Sequence, residues 1–139
     1  MTTGTHRIFL VEDNAGDVYL LQAALQEQGI EHEIEHYVTA DAAINAINSL
    51  GKDGRQLPHV ILLDYNLPRG DGCDILAAAA ENPALASVPK AVLTSSMSPN
   101  HRERALQFGA ACFIIKPVSL DEFMSQVGGM VADLLLPIK

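Results

Sequence analysis

The chain has 139 residues, 48% of them hydrophobic, and a formal net charge of −8, so it can bury the core of one domain and is too apolar to remain disordered. It has no run of Lys and Arg, which argues against direct binding to nucleic-acid phosphates, and no apolar run long enough to span a membrane. Its two cysteines form no C-x-x-C pair and its N-terminus has no signal-peptide core, which together predict one cytoplasmic domain over residues 1–139.

Apolar runs and helical patterns alternate five times along the chain. The runs predict strands at 7–13, 33–38, 59–64, 90–95 and 111–116. The first three helical patterns are carried by Val18, Leu21 and Leu25 before Gly29, by Ala43, Ile44 and Ile47, and by the run 73–80. Thr39 or Asp41 can cap the second helix, Asn82-Pro83 ends the third, and a turn-rich loop is predicted at 51–58.

The last two helices have start signals of their own. Ser98-Pro99 supplies a cap and a first-turn proline, and Ser119 with Glu122 matches a capping box. The fifth helix is predicted to bury a stripe that consists of Leu120, Phe123, Met124, Val127, Val131, Leu134 and Leu135. Gly128-Gly129 lies within that stripe. Because a helical glycine costs about 1 kcal/mol relative to alanine, the helix is either weak or tightly packed there.

Five β-α units with nearly continuous apolar strands predict a doubly wound α/β fold, in which helices cover both faces of a parallel sheet. Right-handed crossovers leave few possible strand orders. In such folds the functional site lies beyond the carboxyl ends of the strands. The residues that follow each strand are therefore the candidates for function.

Those strand ends carry acids, a hydroxyl and a lysine. Glu12 and Asp13 end the first strand, Asp64 the third, Thr94 the fourth and Lys116 the fifth. Three carboxylates in one crevice cannot all stay ionised unless a cation lies among them, and oxygen ligands at a solvent-open edge favour Mg²⁺. A lysine and a hydroxyl suit a bound phosphoryl group. The set indicates an aspartate, Asp64, that acts as a nucleophile and becomes phosphorylated.

Four motifs in order make the chain resemble the response-regulator receiver domain of two-component signalling: LVEDN at 10–14, LLDYNLPRGDG at 62–72, LTSS at 93–96 and KP at 116–117. The resemblance implies a five-stranded parallel sheet in the order 2-1-3-4-5. It also implies that a histidine kinase, or a phosphotransfer protein, phosphorylates Asp64. Within the family, the segments VEDNAGDVYLLQAAL and the one before Pro58 look like single-domain regulators found beside bacterial phytochromes. No output domain is expected after the fifth helix.

The resemblance also implies roles for individual residues. Asp13, Asp64 and the backbone carbonyl of Asn66 would bind Mg²⁺ directly, and Glu12 would act through water. Thr94 and Lys116 would hold the phosphoryl oxygens, and the Lys116-Pro117 peptide bond would be cis.

Two further features of the family concern the lifetime of the phosphoryl group and the switch. Asn66 and Ser96 would tune dephosphorylation. The switch position holds Phe113, which can rotate but cannot form a hydrogen bond as a tyrosine would.

With no output domain, we expect the signal to leave through a surface formed by the fourth helix, the fifth strand and the fifth helix. Leu136 and Ile138 extend beyond the buried stripe and are predicted to lie exposed on that surface. A homodimer or another docked partner is expected there. The alternative is that both residues fold back onto the core.

Three alternative functions are weighed against this one. The segment HEIEH at 32–36 matches the zinc motif H-E-x-x-H, but on a strand its histidines would lie about 13 Å apart. An aspartyl-phosphate phosphatase needs a second acid where the chain has Asn66. A degenerate receiver that acts only as an interaction module would not keep all five key residues. The protein is therefore predicted not to be an enzyme, beyond self-phosphorylation and self-dephosphorylation.

Overall fold

A parallel sheet of five strands forms the centre of the computed structural model, which describes residues 4–52, 54 and 56–135. The strands are β1 (His6–Val11), β2 (His32–Tyr37), β3 (Val60–Leu63), β4 (Lys90–Thr94) and β5 (Cys112–Ile115). Their order is β2-β1-β3-β4-β5, so the predicted strand order is confirmed. The strands end one or two residues earlier than predicted, which places Glu12, Asp13 and Asp64 just beyond the sheet.

In the described residues five helices connect and cover the strands, in addition to a short 3-10 helix at Pro83–Leu85: α1 (Ala15–Glu27), α2 (Ala40–Ser49), α3 (Gly72–Ala80), α4 (Pro99–Gln107) and a composite last helix, α5. Thr39 and Ser98 cap α2 and α4 as predicted, and Ser119 accepts a hydrogen bond from the Glu122 backbone N–H at the start of α5. Asp71 and Asp74 form an unpredicted capping box at α3. Among the described helices, none is long and apolar enough to cross a membrane.

Each face of the sheet buries its own apolar core. Alternate residues of a strand point to opposite faces. Thus Phe9 and Val11 of β1 pack in the core beneath α2, α3 and α4, whereas Ile8 and Leu10 pack in the core beneath α1 and α5. This two-sided burial explains the nearly continuous apolar strands.

The last helix, α5, departs from the predicted single stripe. It consists of α-helical Leu120–Glu122, a π-helical turn at Phe123–Val127 and α-helical Gly128–Leu135. A π turn bonds residue i to i+5 and so rotates the residues before it relative to those after it. The prediction that Leu120 is buried was consequently wrong, because its side chain is 59% exposed. Met124 and Leu134 are half-buried.

Gly128 is a point of close packing between α5 and α1. A methyl group added there would lie 3.1 Å from the backbone oxygen of Ala24. Of the two readings of the glycine pair, weak helix or tight packing, the structure supports tight packing at Gly128. The residue is buried in the core between the two helices.

Two further predictions meet different outcomes. The Lys116-Pro117 peptide bond is trans, so the prediction of a cis bond was wrong. The trans form of an X-Pro bond is lower in energy by about 0.5–1 kcal/mol. The Lys116 N–H also continues the pairing of β5 by donating to Thr94 O at 2.7 Å. The predicted exposure of Leu136 and Ile138 falls outside the described residues.

Candidate functional site

Three carboxylates meet at the carboxyl edge of the sheet. Glu12 and Asp13 follow β1, Asp64 follows the neighbouring β3, and one carboxylate oxygen from each lies within 4.8 Å of the others. Glu12 and Asp64 are buried, whereas Asp13 is exposed to solvent. Within the described residues this is the one group of His, Cys, Asp and Glu side chains with metal-binding geometry. The histidines of the H-E-x-x-H segment lie on the edge strand β2 and are not part of it.

A lysine occupies the centre of this acidic crevice. The side chain of Lys116, which follows β5, is 8% exposed. Its Nζ donates to Glu12 Oε1 at 2.9 Å, to Asp64 Oδ2 at 3.1 Å and to Asp17 Oδ2 at 2.7 Å. An ammonium group has three N–H donors, so all three of them have an acceptor here.

The pKa shifts follow from burial and charge. Burial alone would lower the pKa of the Lys116 ammonium, but the hydrogen bonds to Asp17 and Glu12 and the charge of Asp64 outweigh it, and the pKa lies above its ordinary value. Burial raises the pKa of Glu12, because the hydrogen bond from Lys116 offsets only part of the desolvation. The single positive charge of Lys116 is thus shared among three carboxylates, those of Glu12, Asp17 and Asp64.

The donor set fits a divalent metal ion. It consists of hard carboxylate oxygens, and the exposed Asp13 leaves positions open for the waters that Mg²⁺ retains. Asn66, two residues beyond Asp64, is exposed, and its backbone N–H donates to Asp64 Oδ1 at 3.2 Å. The carboxylates around Lys116 outnumber its single positive charge, so a bound cation would reduce the repulsion between them.

The turn after Asp64 folds back tightly on the strand end. Short strands at Asn66–Leu67 and Gly70–Asp71 pair antiparallel, and the Gly72 N–H donates to Tyr65 O at 2.8 Å. A side chain at Gly72 would come within 2.9 Å of Leu63 Cδ1 and 3.1 Å of Asp64 O. Glycine is needed there because the backbone passes directly against the strand. This small ribbon was not predicted.

Thr94 and Phe113 lie on β4 and β5, and Ser96 lies in the loop that follows β4. Thr94 ends β4, next to β3, and its buried hydroxyl accepts a hydrogen bond from the Ser96 N–H at 3.2 Å. Ser96 Oγ lies 2.5 Å from Nδ1 of His101 in α4. The ring of Phe113 is buried in the core beneath α4, so it takes the inward position.

Tyr65, directly after Asp64, is a site residue that sequence reasoning missed. Its ring stacks on His101 with a centroid distance of 4.0 Å and an angle of 12°. Its hydroxyl accepts a hydrogen bond from Arg104 Nη1 at 3.2 Å and lies 3.6 Å from Cys73 Sγ. Burial raises its pKa to about 12. The sequence signal for this contact is the i, i+3 spacing of His101 and Arg104, which places both side chains on one face of α4 where they can contact the same partner.

Asp17 is the second missed residue. It lies in the first turn of α1, where carboxylates are favoured by the helix N-terminus. That alone is a common capping pattern, so the sequence offers no reason to assign Asp17 to the site. Only the fold shows that the first turn of α1 lies against Lys116.

Comparison with known proteins identifies the family of the chain. The family model of the response regulator receiver domain matches residues 8–128. Response regulator Rcp1 of Synechocystis sp. is 32% identical over 124 residues, which cover 88% of this chain and 84% of Rcp1.

Two solved structures superpose over nearly the whole chain. The phosphorylated cyanobacterial phytochrome response regulator RcpA is 30% identical, with a TM-score of 0.87 and 98% of each chain covered. The Mn²⁺-bound form of Rcp1 is also 30% identical, with a TM-score of 0.84 over 96% of this chain and 97% of that one. With a family match over most of its length, the chain belongs to the response regulator receiver family of two-component signalling.

Proposed function

We propose that the protein is a phosphoacceptor response regulator whose Asp64 receives a phosphoryl group from a histidine kinase or a phosphotransfer protein. In this transfer an Asp64 carboxylate oxygen attacks phosphorus, the P–N bond to the donor histidine breaks, and an acyl phosphate forms. The observation that carries the proposal is the contact of 3.1 Å between Asp64 Oδ2 and Lys116 Nζ inside an acidic crevice.

The site is proposed to bind Mg²⁺ through Asp13, Asp64 and the backbone carbonyl of Asn66, with Glu12 acting through water. When bound, the ion would neutralise the charge that gathers on the phosphoryl oxygens. The surplus of carboxylates over cations supports this assignment. The Mn²⁺-bound form of the similar protein Rcp1 supports a divalent ion in general.

Two other roles follow from position. Lys116 and Thr94 are proposed to contact phosphoryl oxygens, the first as a charge and the second as a hydrogen-bond donor. Asn66 and Ser96 are proposed to set the rate at which water attacks the acyl phosphate. The small side chain of Ser96 leaves room for the water, whereas Asn66 cannot activate that water as a strong base. Ser96 Oγ already has a hydrogen-bond partner in His101 of α4.

Intact mass after incubation with acetyl phosphate and Mg²⁺ tests the central proposal. We expect the native protein and an Asp133→Asn control, which removes an exposed acid remote from the site, to gain one phosphoryl group. Asp64→Asn should remain unmodified while keeping the native circular dichroism spectrum. Equal labelling of Asp64→Asn would refute the assignment.

The same assay separates the alternative functions. Steady release of phosphate from phosphoesters would indicate a phosphatase, although Asn66 stands where such an enzyme needs an acid. A native chain that takes up no phosphoryl group would indicate an interaction module. Asp13→Ala should cut labelling steeply at limiting Mg²⁺, and labelling that is independent of metal would exclude the proposed metal role.

The donor is proposed to be a phytochrome-type kinase, on the likeness to Rcp1 and RcpA. Phosphotransfer from a purified phytochrome-type kinase should be much faster than from an unrelated histidine kinase. Equal rates would remove the phytochrome link and leave the phosphoacceptor role standing.

The output is proposed to pass through a homodimer formed by α4, β5 and α5. Six of the eight large hydrophobic residues that are exposed in the described chain lie between positions 97 and 120: Met97, Leu106, Phe108, Ile115, Val118 and Leu120. Apolar residues gathered in one region of a surface favour an interface. A second copy of the chain would cover them.

Light scattering with and without beryllofluoride tests this dimer. Val118→Asp should abolish a rise in mass upon activation, whereas Val38→Asp, an exposed site after β2 at the opposite edge of the sheet, should not. A monomer under every condition would remove the dimer, and equal loss in both variants would remove this surface.

A further inference from the structure

Asp17 makes the shortest contact to the lysine of the site. Its Oδ2 lies 2.7 Å from Lys116 Nζ, compared with 2.9 Å for Glu12 and 3.1 Å for Asp64. The Asp17 side chain is 25% exposed, whereas the other two carboxylates are nearly buried. Neither the proposed phosphoryl transfer nor the proposed metal binding uses Asp17.

The position of Asp17 is set by rigid backbone. It lies in the first turn of α1, and its N–H donates to the side chain of the cap residue Asn14 at 3.0 Å. Lys116, by contrast, has a flexible stem of four carbons. A carboxylate on a helix therefore fixes the end of a long and mobile side chain.

Asp17 also stands apart from the carboxylates that would take a metal. The group with metal-binding geometry contains Glu12, Asp13 and Asp64 and not Asp17. Two of the three partners of Lys116 thus belong to the proposed metal site. In the phosphorylated protein, Glu12 would interact with the metal and Asp64 would carry the phosphoryl group. Of the three carboxylates that contact Lys116, only Asp17 would then have no other ligand.

We propose that Asp17 is a positioning residue, the dedicated counter-ion that keeps the Lys116 ammonium beside Asp64 while metal and phosphoryl group engage the other carboxylates. The inference rests on the proposed phosphoacceptor function. The donor that now points to Asp64 Oδ2 can then pass to a phosphoryl oxygen without release of Asp17. An ammonium that is already in place needs no reorganisation when charge arrives.

The test measures two affinities separately, that of Mg²⁺ alone and that of beryllofluoride at saturating Mg²⁺. Asp17→Asn should weaken beryllofluoride binding about tenfold, since a charge-assisted hydrogen bond supports roughly that factor. Its Mg²⁺ affinity should change no more than that of Glu27→Gln, which removes an exposed charge from the same helix. Asp17→Glu should restore part of the loss, and the thermal melts of all variants should show that they are folded.

A double-mutant cycle with Lys116→Ala separates an effect through the lysine from a general one. In the Lys116→Ala background, Asp17→Asn should cause no further loss. The inference is overturned if Asp17→Asn binds beryllofluoride as tightly as the native chain, if it loses Mg²⁺ affinity beyond the control, or if its loss persists without Lys116. If the native chain binds no beryllofluoride at all, the proposed function itself fails, and this inference falls with it.

Discussion

A pair of adjacent glycines in α5 allows a sharp test of how this helix packs on α1. In Gly128→Ala the new methyl carbon would lie 3.1 Å from the backbone oxygen of Ala24 and 3.1 Å from Gln28 Cγ. The Gln28 side chain can rotate away, but the Ala24 carbonyl belongs to the backbone of α1 and moves only if the helix moves. In Gly129→Ala no heavy atom beyond the neighbouring residues and backbone of its own helix lies within 4 Å of the new methyl.

The expected magnitudes follow from two opposing effects. Either substitution gains about 1 kcal/mol from helix propensity. At Gly128 the overpacking costs about 1–3 kcal/mol in addition. We therefore expect Gly129→Ala to be more stable than the native chain by about 1 kcal/mol, and Gly128→Ala to be less stable than Gly129→Ala by about 1–3 kcal/mol.

Urea denaturation followed by circular dichroism measures both variants on the same scale. The two unfolding midpoints should separate, and the melting temperatures should differ by about 4 °C for each kcal/mol. The m-values should stay equal, which shows that the unfolded states are comparable. If Gly128→Ala is as stable as Gly129→Ala, the close approach of α5 to Ala24 is not a constraint on the native packing.

Three further predictions concern polar side chains. Asn82→Ala should lower the free energy of unfolding, measured in urea, by about 2–4 kcal/mol, because the carboxamide donates to the backbone oxygens of Ile47 at 2.8 Å and Leu50 at 3.0 Å. A loss below about 1 kcal/mol, the value of one ordinary hydrogen bond, would contradict this prediction. Burial raises the Tyr65 pKa from 10.0 to about 12, so the contribution of the neutral hydroxyl to the free energy of unfolding is full below pH 10.0 and is lost as the pH rises from 10.0 to about 12. The absorbance titration of native minus Tyr65→Phe should show its step near 12, and a step near 10 would refute the burial argument. Ser96→Leu should lengthen the life of the phosphoryl group, measured by mass as it decays, and an unchanged rate would show that water reaches it by another path.

Much of the architecture is predictable because it depends on local pattern and on general rules of chain connection. Apolar runs near Phe9 and Ile61 mark strands whatever their neighbours are, and a parallel sheet then brings the strand ends to one edge. The acids at Glu12, Asp13 and Asp64 consequently meet, since β1 and β3 are adjacent.

Contacts between distant segments are not predictable in this way. The contact of Asp17 with Lys116 joins residues 99 positions apart, and its geometry depends on where the first turn of α1 lies relative to the residue that follows β5. The stack of Tyr65 on His101 likewise depends on the exact packing of α4. The π turn of α5 escapes prediction because a single extra residue per turn leaves the composition of the stripe unchanged while it moves Leu120 to the surface.

The stack between Tyr65 and His101 ties the residue next to Asp64 to α4, and thermodynamic linkage gives that tie a consequence in both directions. If phosphorylation of Asp64 strengthens the binding of a partner to α4 by some factor, the partner must favour the phosphorylated form by the same factor. A partner bound to α4 would therefore raise the phosphorylated fraction of the protein at a constant concentration of phosphoryl donor. The protein would then report how much partner is present as well as how active its kinase is.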